Sequence, residues 1–199
     1  MALQLAWANA IFRKPPDFLT HRLTHTTYTN PTKGLDIMAE NNRAVLKLKE
    51  KFAASIIDVV EFRGEVTVTV AKDAIIDILS FLKQSLQYNL LTDLTAIDYL
   101  GKKEERFMMV YLLYSIPNKD RLRIKTPVTE TECSIPTATQ VWKTANWLER
   151  EVFDLFGIMF DKHPDLRRIL MTDDWEGHPL RKDYPLQGPD REPYKGRLS

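Results

Sequence analysis

One cysteine, Cys133, stands among 199 residues, so the chain can form no internal disulfide and no all-cysteine metal or iron–sulfur site. That usage fits a reducing compartment. Long hydrophobic runs are also missing. The longest candidate, Phe107 to Tyr114, has eight residues and reads as a buried strand, far short of the roughly 18 that a membrane-spanning helix needs. Any membrane association would therefore run through other proteins. Charge of one sign is lacking too: 28 Lys and Arg face 27 Asp and Glu, a net charge of +1, so no overall field draws the chain to nucleic acid or to an anionic membrane. Neither G-x-G-x-x-G nor G-x-x-x-x-G-K-[ST] occurs. Without those backbone cradles for phosphates, a self-contained NAD or ATP enzyme is disfavoured.

What is present suffices for a folded domain, since 44% of the residues are hydrophobic. Residues 1–37 read as lying outside it. They set Arg13, Lys14, Arg22 and Lys33 against Asp17 and Asp36 with no sustained period. They lack a secretory cleavage pattern and are poor in Arg for a mitochondrial presequence. The expectation is a disordered arm, or translated sequence upstream of a start at Met38.

From Met38 the pattern sharpens. Val45, Leu46, Leu48, Phe52 and Ala53 recur among lysines and arginines as in a helix. Ile56 to Phe62 and Glu65 to Ala71 read as strands joined at Arg63-Gly64, with Val66, Val68 and Val70 on one face and Thr67 and Thr69 on the other. Asp73 is placed to begin a helix carrying Ile75, Ile76, Leu79, Leu82 and Leu86. Leu90 to Tyr99, Phe107 to Tyr114 and Leu122 to Val128 follow as strands. A third helix is expected from about Ala138, with Thr137 or Thr139 as cap, to Phe156, its stripe formed by Val141, Trp142, Ala145, Leu148, Val152 and Leu155 and its stop at Gly157. A helix, two strands, a second helix and three more strands, without βαβ alternation, predict an α+β fold, a two-layer sandwich over 38–157. The Pro- and Gly-rich remainder, 158–199, reads as an extended docking arm and tail.

The densest chemistry lies between Glu149 and Pro185. Glu151 and Asp154 are three apart, hence on one helical face; two such carboxylates can serve acid–base work or be neutralised by Arg150, Arg167 or Arg168 in an ion network. His163 and His178, with Asp165, Asp173 and Asp174, are of metal-ligand types, but their spacing matches no ligand pattern and each precedes a proline. From Lys162 to Ser199, eight basic residues face seven acidic ones, too even a balance for phosphate tracking. Cys133 has no adjacent His or Cys to activate it. Catalytic, cofactor and metal residues are therefore assigned to none of these positions. The aromatics Phe153, Phe156, Phe160, Trp175 and Tyr184, crowded among arginines, have instead the composition of a protein interface.

The register Glu149-Arg150-Glu151, two residues, Asp154-Leu155-Phe156, six residues, His163, three residues, Arg167-Arg168 resembles the signature of the C subunit of NADH-quinone oxidoreductases, a peripheral-arm component of respiratory complex I. Gly177-His178-Pro179-Leu180-Arg181-Lys182-Asp183-Tyr184-Pro185 resembles the family's next block. The resemblance implies a protein without flavin, iron–sulfur cluster or quinone site of its own, those cofactors lying in partner subunits. It implies docking to the D subunit, which holds the quinone site, and to its neighbours, with no nucleic-acid partner and a peripheral place at the cytoplasmic side of a bacterial inner membrane. There NADH oxidation and quinone reduction drive proton translocation. Glu149, Arg150, Glu151 and Asp154 would then form a structural charge cluster at the root of the arm. Related subunits of membrane-bound hydrogenases and ferredoxin-type complexes leave the electron donor open; a metal-dependent hydrolase built on His163 and His178 is the rival of another class. Residues 1–37 match nothing in the family pattern. Deleting them is expected to leave assembly intact, as read by complementation of a deletion strain; failure of the truncated chain to complement would assign the segment a role.

Overall fold

The computed structural model describes residues 42–186. The expectations for residues 1–37 and for the tail from 187 to 199 lie outside the described residues.

Helix α1 (Arg43–Phe52) begins where the side-chain oxygen of Asn42 accepts hydrogen bonds from the N–H groups of Ala44 (2.8 Å) and Val45 (3.4 Å), an N-cap that satisfies two orphan donors. It turns Ala44, Val45 and Leu48 inward. Strands β1 (Ile56–Phe62) and β2 (Glu65–Val70) then pair antiparallel around Arg63 and Gly64, whose φ angles of 54° and 78° are those a two-residue hairpin of matching twist demands. In β2 Val66, Val68 and Val70 are buried and the threonines between them half-buried, as the alternation predicts.

Helix α2 (Ile75–Leu86) is entered through a 3₁₀ turn at Lys72–Ala74. The sequence points to Asp73 as the cap, but Asp73 falls inside that tighter turn and Ala74 takes the boundary position with no side-chain bond. Ile75, Ile78, Leu79, Leu82 and Leu86 are all buried, together worth on the order of 10 kcal/mol of transfer free energy. The helix stops at Gln87, which adopts the left-handed conformation (φ 61°), and the N–H of Tyr88 bonds to the Leu82 carbonyl at 3.0 Å.

Strands β3 (Leu90–Asp98), β4 (Phe107–Ser115) and β5 (Asp120–Val128) form an antiparallel meander, and β5 returns to lie parallel beside β2, giving the order β1-β2-β5-β4-β3. One face of this sheet carries Val68, Ile124, Tyr111 and Leu94. The buried side chains of all three helices join the same cluster. The chain thus adopts the α+β, two-layer class that its order of elements implies.

Two features depart from the expectation. Helix α3 spans Ala145–Phe156, seven residues shorter at its start than the periodicity suggests. Val141 and Trp142 are buried as predicted, but in turns whose N–H groups both bond to the Ala138 carbonyl at 2.9 Å; the chain folds back there, so that Glu149 reaches the N–H of Ala138 and the hydroxyl of Thr137, which a continuous helix would hold roughly 16 Å away along its axis. Secondly, β6 (Ser134–Pro136) and β7 (Met159–Asp161) pair parallel on either side of α3, so the chain beyond Gly157 contributes Ile158 and Phe160 to the core before it leaves as an arm. Strands of three residues carry too short a pattern to be read.

Because Gln87 is exposed and holds a positive φ, Gln87→Gly should raise stability by about 1 kcal/mol, seen as a melting temperature higher by a few degrees.

Candidate functional site

The last turn of α3 leaves carbonyls that no residue of the helix can satisfy. Gly157 turns the chain at φ 72° and donates to the Phe153 carbonyl at 2.8 Å. The arm supplies the other partners. The Asp154 carbonyl accepts from Nδ1 of His178 (2.9 Å) and Nη1 of Arg168 (3.3 Å), the Leu155 carbonyl from the N–H of Leu180 (3.0 Å), and the Phe156 carbonyl from Nε of Arg181 (2.6 Å). Two guanidinium groups thus meet the negative end of the helix dipole. A Cβ at Gly157 would overlap the side chains of His178 and Arg181, so this glycine is required both by its φ and by how closely the arm approaches.

The side chain of Asp154 is wholly buried in the same place. One oxygen accepts from Nη1 of Arg168 at 2.6 Å; the other accepts three successive backbone N–H groups, Ile169 (3.0 Å), Leu170 (2.8 Å) and Met171 (2.8 Å). Burial raises the pKa of this carboxyl, but the three amides and Arg168 outweigh it and hold the group below its ordinary range. Arg168 also donates through Nη2 to the carbonyls of Trp175 (2.9 Å) and Gly177 (3.1 Å), so one guanidinium joins two points of the arm to Asp154 of the helix. Arg150 reaches the same segment from the other side, donating to the carbonyls of Arg167 and Arg168, each at 3.1 Å.

Glu149 is different. It occupies the stripe Ala145, Glu149, Val152, Phe156 that faces the sheet, and it is fully buried with no arginine partner among the described residues. Its oxygens accept from Thr137 (2.5 Å) and from the N–H of Ala138 (2.6 Å), and Nε2 of His163 lies 3.8 Å away. The hydroxyl of Tyr111, also buried, has no hydrogen-bond partner among the described residues, and burial and the Glu149 carboxylate both raise its pKa. Desolvation pushes the Glu149 carboxyl up to about 7 against the opposing bonds from Thr137 and Ala138. His163 accepts the N–H of Asp165 at Nδ1 (3.1 Å) and lies 3.2 Å from the Asn146 carbonyl at Nε2, which fixes the proton on Nε2.

A second fastening, unseen in the sequence, lies at the ends of β3 and β4. Arg106, 4% exposed, grips Asp98 with Nε (3.1 Å) and Nη2 (2.9 Å), and reaches Glu130 (2.6 Å) and Asp183 of the arm (2.7 Å). Asp98 also accepts the N–H of Lys182 at 2.8 Å. Burial raises the Asp98 carboxyl, yet Arg106 and the backbone donors carry it below its usual value; Arg106 also holds Asp183 below its ordinary range. A signal for this cluster exists in the pattern: Leu94, Ala96 and Asp98 share the core face, and a carboxylate on a core face requires a cation.

The structure therefore separates residues that the sequence placed together. Glu151 is exposed and does not share the environment of Asp154. His163 sits beside Asn146 near the start of α3 and His178 at its end. Burial and the nearby Arg181 and Arg168 push His178 below its ordinary value despite the opposing Asp154, which favours the neutral ring that donates from Nδ1. Among the described residues no three His, Cys, Asp or Glu side chains converge as a metal site would need. Cys133 is half-buried with Sγ 3.5 Å from the Gly157 carbonyl, and burial raises its thiol. Gly177, at φ 79°, lies under the ring of Tyr184, whose N–H bonds to the Arg181 carbonyl at 3.2 Å. Pro179 and Pro185 flank this last fold of the arm. Chemically the arrangement immobilises a strap on a helix end.

Comparison with known proteins adds three findings. A family model described as the respiratory-chain NADH dehydrogenase 30 kDa subunit matches residues 68–190. The chain is similar to the C subunit of NADH-quinone oxidoreductase from Geobacter sulfurreducens, 76% identical over 162 residues that span 81% of this chain and all of that one, and to the subunit of the same name from Roseiflexus sp., 47% identical over 75% of this chain and 87% of that one. Among solved structures it resembles a trypsin-resistant fragment of Nqo5 (TM-score 0.54, 34% identity, 62% of this chain and 99% of that one). It also resembles a chain of the membrane-bound sulfane sulfur reductase, an archaeal respiratory membrane complex (TM-score 0.61, 27% identity, 71% of this chain and 84% of that one).

The Glu149 carboxyl gives a pH prediction. A carboxyl raised from 4.5 to about 7 on folding stabilises the native state most below its unfolded value, and that contribution is lost as pH rises through 7. Glu149→Gln should abolish this slope. The variant should gain on the parent between pH 5 and pH 8 by roughly 3 kcal/mol at most, measured as the difference in denaturant midpoints; parallel pH profiles would contradict it.

Proposed function

This chain belongs to the 30 kDa-subunit family of respiratory-chain NADH dehydrogenases, and from that premise we propose that it serves as a structural component of a proton-translocating NADH:quinone oxidoreductase, with no cofactor or active site of its own. In this reading, flavin and iron–sulfur clusters lie in partner subunits, and the arm beyond Asp161 docks to the D subunit, which holds the quinone site, and to its neighbours. The chain reaches the cytoplasmic side of the bacterial inner membrane through the complex. No helix among the described residues is long and apolar enough to cross a membrane, which is compatible with that placement.

The observation that carries the reading is the direction in which the arm's groups face. Four of its charged and polar side chains, Arg168, His178, Arg181 and Asp183, bond to the helix end and to Arg106, while Leu170 and Leu180 remain about half exposed and Leu186 fully so. A segment held this firmly with its leucines outward offers a preorganised surface for another protein. A second reading, membership of a complex with a different electron donor, draws on the likeness to the archaeal respiratory complex. Affinity purification of the full chain from membranes separates the two: NADH- and flavin-binding subunits should co-purify in the first case and be replaced by others in the second.

The assembly role predicts that Arg168→Ala, which leaves Asp154 buried without its cation, loosens the arm at a cost of about 3–5 kcal/mol. It should deplete the chain from the membrane-bound complex in native gels. Normal complex levels in that variant would contradict the role given to the arm.

A further inference from the structure

An open groove of about 640 Å³ runs between the start of α3 and the loop after β7, and its charge is out of keeping with the chain. The whole molecule is balanced, with 28 basic residues against 27 acidic. The groove's walls hold Lys143, Arg150, Lys162 and Arg167 and a single carboxylate, Asp165. That carboxylate is already taken, with Nε of Arg167 at 3.0 Å. Arg150 is committed to two backbone carbonyls. Lys143 and Lys162, both exposed, have no ion-pair partner among the described residues. Between these cations stands Trp147, 63% exposed and backed by the Arg150 guanidinium 5.3 Å from its ring. A tryptophan ordinarily buries most of its surface; tryptophan and arginine are also the residue types that most often dominate binding energy at protein interfaces. Lys162 sits at φ 64°, where glycine would fit without strain, so the backbone accepts a cost at the position that presents one of the free ammonium groups.

We propose that this groove receives an acidic, extended segment of a neighbouring subunit, its carboxylates meeting Lys143 and Lys162 and an apolar side chain packing on Trp147; the proposal rests on the assembly role proposed above and gives that role a surface separate from the outward leucines of the arm. A peptide suits the groove better than a phosphate-bearing ligand. Phosphate sites converge backbone N–H groups or free guanidinium forks, whereas here both guanidiniums are engaged. What remains is two flexible point charges and an aromatic face.

The test uses the full chain in the assembled complex, with a photo-crosslinking benzoylphenylalanine in place of Trp147 and mass spectrometric identification of the product. The expected product joins this chain to a stretch of another subunit rich in Asp and Glu. Lys143→Glu with Lys162→Glu should lower its yield on the order of tenfold and let salt release the chain more easily, while Lys143→Arg with Lys162→Arg should preserve both. Unchanged melting of the double Glu variant shows that the fold is intact, as expected for two exposed side chains. A product with a basic or neutral segment, with residues 187–199 of this chain, or with lipid overturns the proposal, as does the absence of any product while the chain still co-purifies with the complex. If the chain co-purifies with no other oxidoreductase component at all, the assembly role itself falls, and this surface with it.

Discussion

A carboxylate that enters a protein interior must bring its hydrogen-bond donors with it, and the C-terminal third of this molecule depends on that constraint at Asp154. Its two oxygens receive one guanidinium and three consecutive amides, all from residues 168–171. These bonds fix residues 168–171 against the helix end, where the strap begins. The same helix end dictates the rest: the carbonyls of Asp154, Leu155 and Phe156 draw in His178, Leu180 and Arg181. An arm with little core of its own is thereby folded by the unmet bonding capacity of one helix.

Arg106 performs a parallel task at the strand ends, joining Asp98, Glu130 and Asp183. Networks of this kind add little net stability over apolar packing of the same volume. What they impose is geometry, since each donor has one acceptable place. Membership in a family of complex I subunits gives that geometry a use, because a component of a multisubunit complex has to keep a fixed outline.

The fold class is legible because β2 and β5 alternate cleanly, β4 is a short continuous apolar run, and the first two helices carry clear apolar stripes. The register of Val66, Val68 and Val70 against Thr67 and Thr69 was read correctly from period alone. The start of α3 differs from the periodicity for a physical reason: Val141 and Trp142 keep helical spacing and are buried, but the bonds of Glu149 to Thr137 and Ala138 require the chain to fold back before Ala145, since a continuous helix would hold those groups roughly 16 Å apart. At the site, residue types and the general idea of arginines folding back on acids were accessible. The partners were not, because Asp154 and Arg168, or Arg106 and Asp183, are joined through irregular chain whose path no periodicity records. Glu149 was grouped with its charged neighbours when its spacing from Ala145 and Val152 already placed it on the core stripe.

The parallel contact between β2 and β5 sets the order in which the molecule can assemble. Thr67 pairs with Arg123 and Thr69 with Lys125, across a span that holds α2, β3 and β4, whereas β3, β4 and β5 meet through short reversals. Closing so long a loop is entropically costly and slow relative to forming local hairpins. By that argument the local meander is expected to form before the β1–β2 hairpin docks on the free edge of β5. Until it docks, the β5 edge would present unpaired N–H and C=O groups of the kind that invite pairing with another chain.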